Sequence, residues 1–495
     1  PRHEEISSIG ENGSRAASLE HPILLSGSQQ GIGRPASQAA YKGCELLGCN
    51  AEPAYMAAQQ LPSIAIVGGG IAGLTLALNL IELSTTTNAS SSPRYTITIY
   101  ESAQNFSEIG AGVAFGPNAV LAMKSISPAV YAAFEKTETT NQTAAMDKDL
   151  SFHAHFGETV EGRYEENEFI CTLYCDGGQR AVRRSDFLDE LVRSIPEGVA
   201  QFGKRVTHYT SDGDGVLLHF TDGTTARHHA VLGCDGIKSS IRRTMLAATP
   251  EAIDPVFSGK FCYRGLIPMD VAVAALGPQA AQNAHLYLGR GGHLVTFAIA
   301  KGRLMNVVVF DSAKEWADAD WVVPADPKAM QARFAGWSPT VTKILSIMRT
   351  NDVWALFDQN PAPTFVSEDG RVCLVGDAAH ATTPHRGAGA GMAVEDAYIL
   401  GNLISQALVA TPGSAAAKAI PTALRVYDAM RRERGLRLVK ESRETGIMYE
   451  LEDPELGADK EKIKARLLTM MDWIWDHDVR EELKVASEQL EVRLQ

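Results

Sequence analysis

Ile64-Ala65-Ile66-Val67-Gly68-Gly69-Gly70-Ile71-Ala72-Gly73 is the stretch on which the fold turns. Its first four residues are apolar and mostly β-branched, the composition of a buried strand. Three glycines then break the chain, and residues 71–83 read as a helix. Gly68, Gly70 and Gly73 fit G-x-G-x-x-G between that strand and that helix. Gly68 permits the tight turn, Gly70 lets the backbone approach a pyrophosphate, and Gly73 lets helix and strand pack closely. The helix start offers free N–H groups and a positive dipole end to the phosphates. A second strand, Tyr95 to Tyr100, ends at Glu101, whose carboxylate suits both hydroxyls of a ribose. Glu101 lies farther on than the usual ~20 residues, and the Ser/Thr/Asn-rich loop at 84–93 accounts for the excess as an insertion. Residues 61–81 carry no charge and are long enough to span a bilayer, but the glycine break suits a buried strand, turn and helix.

Outward from this unit, strand-like runs follow at 216–220 and 230–234, with a helix start at 237. The segments 257–267, 285–288, 294–299 and 304–310 alternate as strands do. Residues 371–376 read as another buried strand, followed by a Gly/Ala-rich helix from 390. The predicted fold class is α/β. A Rossmann-type dinucleotide domain (61–130, 178–250 and 350–445) is interleaved with a mixed β-sheet substrate domain (131–177 and 251–349), and C-terminal helices occupy 446–495. Residues 1–60 read as a disordered leader, a vector remnant or a mispredicted upstream exon, with Met56 as a natural start.

The 495 residues suffice for about two to four domains, and 45% hydrophobic with 21% charged residues is ordinary for a globular enzyme. A net charge of -13 argues against nucleic-acid or anionic-membrane binding. The odd, scattered set of seven cysteines suits a reducing compartment, so a cytoplasmic location is expected. Cys171 and Cys175 have no neighbouring Cys or His cluster, and no metal is expected.

Two further stretches bear on the nucleotide. Cys234-Asp235-Gly236-Ile237-Lys238-Ser239 follows an apolar run and opens a helix, and Gly376-Asp377-Ala378-Ala379-His380 follows Val372-Cys373-Leu374-Val375. Together with the glycine turn, in this order, they resemble the class A flavoprotein monooxygenases, the para-hydroxybenzoate hydroxylase-like group, over roughly residues 62–480. The resemblance implies FAD as cofactor. It also implies NADH or NADPH as a co-substrate that docks without a second G-x-G-x-x-G. It puts Asp377 at the FAD ribityl or ribose-phosphate region, gives Asp235 a part in handling both FAD and NAD(P)H, and sets Arg184 near the FAD phosphates. A guanidinium pairs well with a diphosphate. On the residues alone, Arg184 also reads as a surface helix charge and Asp235 as a helix N-cap or turn residue.

The stretch from Gly376 to Leu400, GDAAHATTPHRGAGAGMAVEDAYIL, is similar to that of salicylate hydroxylases and their fungal relatives. By that resemblance the loop from Pro384 to Gly391, with Gly387, Gly389 and Ala390, faces the flavin ring and aims N–H groups at its pyrimidine end. The implied reaction is hydroxylation of a phenolic acid through a flavin C4a-hydroperoxide, with carbon dioxide leaving when attack falls on the carboxylate-bearing carbon. Expected partners are a small aromatic substrate, oxygen and NAD(P)H, in a monomer or homodimer. A fungal polyketide phenol or other hydroxyaromatic is the alternative substrate, and a flavin-binding module without turnover the distant alternative.

The candidate catalytic residues are Arg264 and His385. Arg264, in Phe261-Cys262-Tyr263-Arg264-Gly265-Leu266, could pair with a carboxylate or hold a phenolate charged, or be a structural strand-end arginine. His385 could hydrogen-bond substrate or shuttle a proton, or be a plain loop histidine. Tyr263 and His293 read as packing residues, and His153 and His155 have no third metal ligand. Phe297 stands where some fungal relatives that dearomatise phenols have Tyr, which disfavours that chemistry here.

Overall fold

The computed structural model describes residues 61–86, 93–105, 112–159, 165, 167–411 and 413–495, so the expectations for residues 1–60, Met56 included, lie outside it. Five parallel strands make the first sheet, in the order Val372–Leu374, Ala230–Gly233, Ser63–Val67, Thr96–Tyr100 and Ala200–Gln201. Ile64, Ala65, Ile66, Ala230, Val231 and Leu232 have no exposed surface. Continuous apolar runs form these strands because both faces of a parallel sheet are covered. Helices Ile71–Thr86 and Gly389–Ala410 pack on each other, and Asn79 Nδ2 donates to the carbonyls of Ala397 and Tyr398.

Register decides where the motifs emerge. Val67 pairs with Tyr100 and Gly233, and Gly233 pairs with Leu374. Gly68, Glu101, Cys234 and Val375 therefore leave the sheet at one edge, the carboxyl ends of its strands, where open α/β sheets bind their ligands.

The second sheet has eight strands, in the order Val322–Pro324, Arg349–Gln359, Pro255–Pro268, Leu304–Ser312, Gly292–Ile299, His285–Gly289, Leu150–Phe156 and Phe169–Tyr174. His285–Gly289 runs parallel to Leu150–Phe156 and the other pairs are antiparallel, so the sheet is mixed. Alternation splits its side chains between two faces. Tyr263, Leu294, Met305, Val307 and Val309 join a core with Phe334, Val341 and Ile344 from the helices beneath. Arg264, Val295, Phe297 and Val308 face the other way.

This is the expected α/β class. Helix Pro128–Thr137 straddles the expected boundary at 131 and packs into the first core through Val130, Ala133 and Phe134. The helix expected from 237 begins at Ser240, and strand Arg349–Gln359 was not picked out from the sequence.

The C-terminal helices are tied in by buried charge. Arg431, fully buried on helix Ala416–Tyr449, pairs with Glu395, Asp396 and Glu482, and His380 Nε2 lies 2.6 Å from Asp396. Among the described residues no helix is long and apolar enough to cross a membrane. Cys171, Cys175, Cys234, Cys262 and Cys373 are free.

Candidate active site

A single trough of about 980 Å³ runs from the glycine turn to the outward face of the mixed sheet. That size is at the upper end for ligand sites, as an extended dinucleotide beside a second small molecule would need. Gly68, Gly70, Glu101, Arg184, Asp235, Asp377, Pro384, Gly387, Gly389, Ala390, Arg264 and His385 all line it.

At the nucleotide end, Gly68 adopts φ +105°, and a Cβ there would come within 2.4 Å of the Cys234 carbonyl oxygen. A Cβ on Gly73 would meet the Gly68 oxygen at 2.0 Å, so this glycine is needed for helix-to-turn packing behind the trough. A Cβ on Gly70 meets only an Arg184 nitrogen, at 3.8 Å, and would otherwise project into the trough. The chain thus leaves a side chain's volume open beside a guanidinium, which fits a diphosphate. The first helical turn carries no acidic residue to compete for its N–H groups. Glu101 is held in place by Gly69 N–H at 2.7 Å and Ala103 N–H at 2.8 Å.

Asp235 has the helix-capping job that its residue type allowed. Its carboxylate accepts from Ser239 Oγ, from the backbone N–H groups of Ser240 and Ile241 and from Ser240 Oγ. Burial pushes its pKa up against the pull of those bonds. Gly376, at φ +60°, sits behind the trough wall, where a Cβ would lie 3.0 Å from Ala72 Cβ and 3.1 Å from Ala393 Cβ. Asp377 begins the next short helix and is exposed to the trough while Gly376 and Ala378 on either side are buried.

The loop is braced by two arginines that the sequence reading passed over. Arg242, with no exposed surface, donates to the carbonyls of Ala252, Asn360, Ala378 and Ala379, tying the Asp235 turn to the Asp377 turn. Burial lowers its pKa to about 10. Arg386 donates to Thr445 Oγ1 at 2.8 Å and pairs with Glu441 at 2.9 Å, fixing the loop to helix Ala416–Tyr449. Helix Gly389–Ala410 starts with no side-chain cap, so its first N–H groups remain available where Gly389, Ala390 and Gly391 line the trough.

At the far end, Arg264, Val295, Val308, Phe297, Phe310 and His293 form the wall. The Arg264 guanidinium rests 4.6 Å from the centre of the Trp354 ring, which fixes a cation against an apolar surface. His385 is 7% exposed and packs at a tilt against Phe310 and His293, with ring centres 5.1 and 5.2 Å away. Burial drives its pKa well below the ordinary histidine value. Tyr263 packs in the core beneath the sheet, as expected. His153 and His155 pack tilted against His285 on neighbouring strands. Met470, Met471, Ile474 and Trp475 close the trough from the C-terminal helices, a contribution read in the sequence only as amphipathic helix.

The family model for an FAD binding domain matches residues 357–442. Over 441 residues the chain is 39% identical to the FAD-dependent monooxygenase pigN of Monascus ruber, covering 87% of this chain and 97% of that one. It is 37% identical over 435 residues to a salicylate hydroxylase of Pseudomonas putida, covering 86% and 93%. A solved salicylate hydroxylase substrate complex superposes with a TM-score of 0.74 at 35% identity, covering 86% of this chain and 98% of that one. The chain belongs to the class A FAD-dependent aromatic monooxygenases, the family of salicylate hydroxylase. It is an FAD-dependent enzyme, and its trough fits that cofactor.

Proposed function

We propose that the enzyme hydroxylates a phenolic aromatic acid at the expense of NADH or NADPH and oxygen, with decarboxylating hydroxylation of the salicylate type as the leading reading. The observation that carries it is the wall beside the Pro384–Ala390 loop, where Arg264 offers a fixed cation among Val295, Val308 and Phe310. Such a wall suits an aromatic ring bearing a carboxylate or phenolate.

Gly68, Gly70, Arg184 and Glu101 would hold the nucleotide half of FAD, with Asp377 toward its ribityl chain and Gly387, Gly389 and Ala390 against its ring. FAD, when bound, supplies the redox chemistry that activates oxygen. The open N–H groups at the start of helix Gly389–Ala410 favour negative charge on the ring's pyrimidine side. Arg264 orients the substrate anion, and His385, kept neutral by burial, offers it a hydrogen bond. Met470, Ile474 and Trp475 exclude water from the closed end. We place the enzyme in the cytoplasm, where free cysteines persist, as a monomer or homodimer.

A fungal polyketide phenol is the second reading, supported by the likeness to fungal monooxygenases. Phe297 supplies no hydroxyl to the wall, which disfavours dearomatisation. The test is a phenol panel scored by NAD(P)H consumption and product mass. Salicylate should yield catechol and carbon dioxide. Gain of one oxygen on a larger phenol alone would favour the second reading, and no consumption with any phenol would refute both.

A further inference from the structure

Three histidines meet on the face of the mixed sheet turned away from the trough. His153 and His155 lie two apart on strand Leu150–Phe156, and His285 opens the parallel neighbour, where it pairs in register with His153. Phe152 and Leu286 line the trough, so by alternation His153 and His285 point to the other face. The ring centres of His153 and His155 lie 5.3 and 5.4 Å from that of His285. From the sequence the pair lacked a third metal ligand. The fold brings one in from 130 residues away.

Each ring is held by an outer partner. His285 Nε2 lies 3.1 Å from the Gln279 carbonyl oxygen, His153 Nδ1 lies 3.1 Å from Thr172 Oγ1, and the backbone of Asn167 accepts from His155. A carbonyl only accepts, so His285 and His155 each spend their single neutral N–H there. No proton is left for the contact between His285 Nδ1 and His155 Nε2, which are 3.3 Å apart. Two nitrogens on a tetrahedral zinc ion, each at about 2.0–2.1 Å, stand about 3.3–3.4 Å from each other. Ligating histidines ordinarily give their second ring nitrogen to just such an outer partner, which fixes ring and tautomer. Burial lowers the pKa of all three rings and keeps them in the neutral form that binds metal. Two other groups of potential ligands are already filled by cations. Arg431 and Arg434 pair with Glu395, and Arg431 also with Glu482, beside His477. In the group of His293, His385 and Glu450 the carboxylate pairs with Lys260, whose charge opposes a second cation.

We propose that His155, His285 and His153 form a site for one divalent transition-metal ion of the zinc class. His155 Nε2 and His285 Nδ1 are two ligands in place. His153 turns its Nε2 inward as the third, and water is the fourth. Imidazole suits zinc, and Asp147 lends negative charge on the His153 side. The ion acts as a clamp. It ties strand Leu150–Phe156 to strand His285–Gly289 and, through the Gln279 carbonyl, to helix Pro278–Gln282. It thereby steadies from outside the strand that carries Phe152 on the trough wall. Zinc has no redox chemistry, so the ion takes no part in oxygen activation.

The test strips the FAD-loaded full chain with a chelator and titrates zinc against a chromogenic zinc indicator, following the thermal midpoint in parallel. Wild type should take up one zinc per chain at this site, keep its FAD, and melt higher with zinc than without. Cobalt(II) in place of zinc should give the intense visible band of a tetrahedral ion. His285→Gln should bind zinc at least roughly a hundredfold more weakly and lose both the cobalt band and the gain in melting temperature. His153→Gln, at the more open end of the cluster, serves if the first variant fails to fold, and should also weaken zinc. The exposed pair His208 and His219, with parallel rings 4.3 Å apart, is the internal control. His219→Gln should leave the clamp's zinc bound. Wild-type affinity in His285→Gln and His153→Gln, zinc lost in His219→Gln instead, or no zinc taken up by wild type would each overturn the site.

Discussion

The two ends of the trough are built from different materials. The stretch we propose for FAD is largely main chain: Gly68 at positive φ, Gly70 open to the trough, and uncompensated helix starts at Ile71 and Gly389, with side chains at Glu101, Arg184 and Asp377. The end we propose for substrate is side chains: Arg264, Val308, Val295 and Phe297, brought together across three strands of the mixed sheet. A backbone cradle tolerates almost no change of residue, whereas a wall of alternating side chains can be retuned one position at a time. The same molecule can therefore keep its cofactor while its substrate changes.

Substitutions at each end sharpen this contrast. The largest effect is expected at Gly70→Val, whose side chain would fill the trough without striking the protein. The variant should fold yet lose FAD, read from the flavin absorbance of the purified protein, and retained stoichiometric FAD would place the diphosphate elsewhere. Arg431→Met should cost about 3–5 kcal/mol in denaturant unfolding, because it leaves buried Glu395 with Arg434 alone and buried Asp396 with His380 alone. Arg264→Ala should keep FAD but lose a charge-assisted contact of about 1.5–3 kcal/mol, roughly a tenfold to hundredfold rise in KM for anionic phenols. An unchanged KM would remove Arg264 from the site. Trp475→Ala should act least, raising peroxide release per NAD(P)H consumed while FAD affinity holds.

Acid stability should follow the buried carboxylates. Burial would raise the pKa of Glu395, but Arg431 and Arg434 outweigh it and hold the group at about 2. Its folded value lies below the unfolded value of about 4.3. The stability it contributes is therefore full above the unfolded value and is lost as pH falls through the folded one. Unfolding midpoints measured from neutral pH down to acid should show this loss in wild type and a weaker one in Arg431→Met.

The same contrast governs what could be read from the sequence. The glycine turn, Glu101, the Asp235 turn and the Asp377 turn are short local patterns, and strand register brings them together without further information. Arg242 and Arg431 were missed because an arginine in a basic helical run, Arg242-Arg243 or Arg431-Arg432, reads as a surface charge. Their partners lie up to 137 residues away for Arg242 and up to 51 for Arg431. Glu450 reaches Lys260 across 190 residues, so the setting of His293 had no local signature and it was read as packing. Strand Arg349–Gln359 was hidden by its polar opening, Arg-Thr-Asn-Asp, although it pairs along Pro255–Pro268.

The most direct measurement is a crystal structure of the enzyme with FAD and a phenolic acid bound. The expected arrangement has the diphosphate between Gly70 and Arg184, the flavin ring against the Pro384–Ala390 loop, and the phenolic acid in contact with Arg264. A flavin whose diphosphate avoids the glycine turn, or a phenol bound away from the mixed-sheet wall, would contradict it.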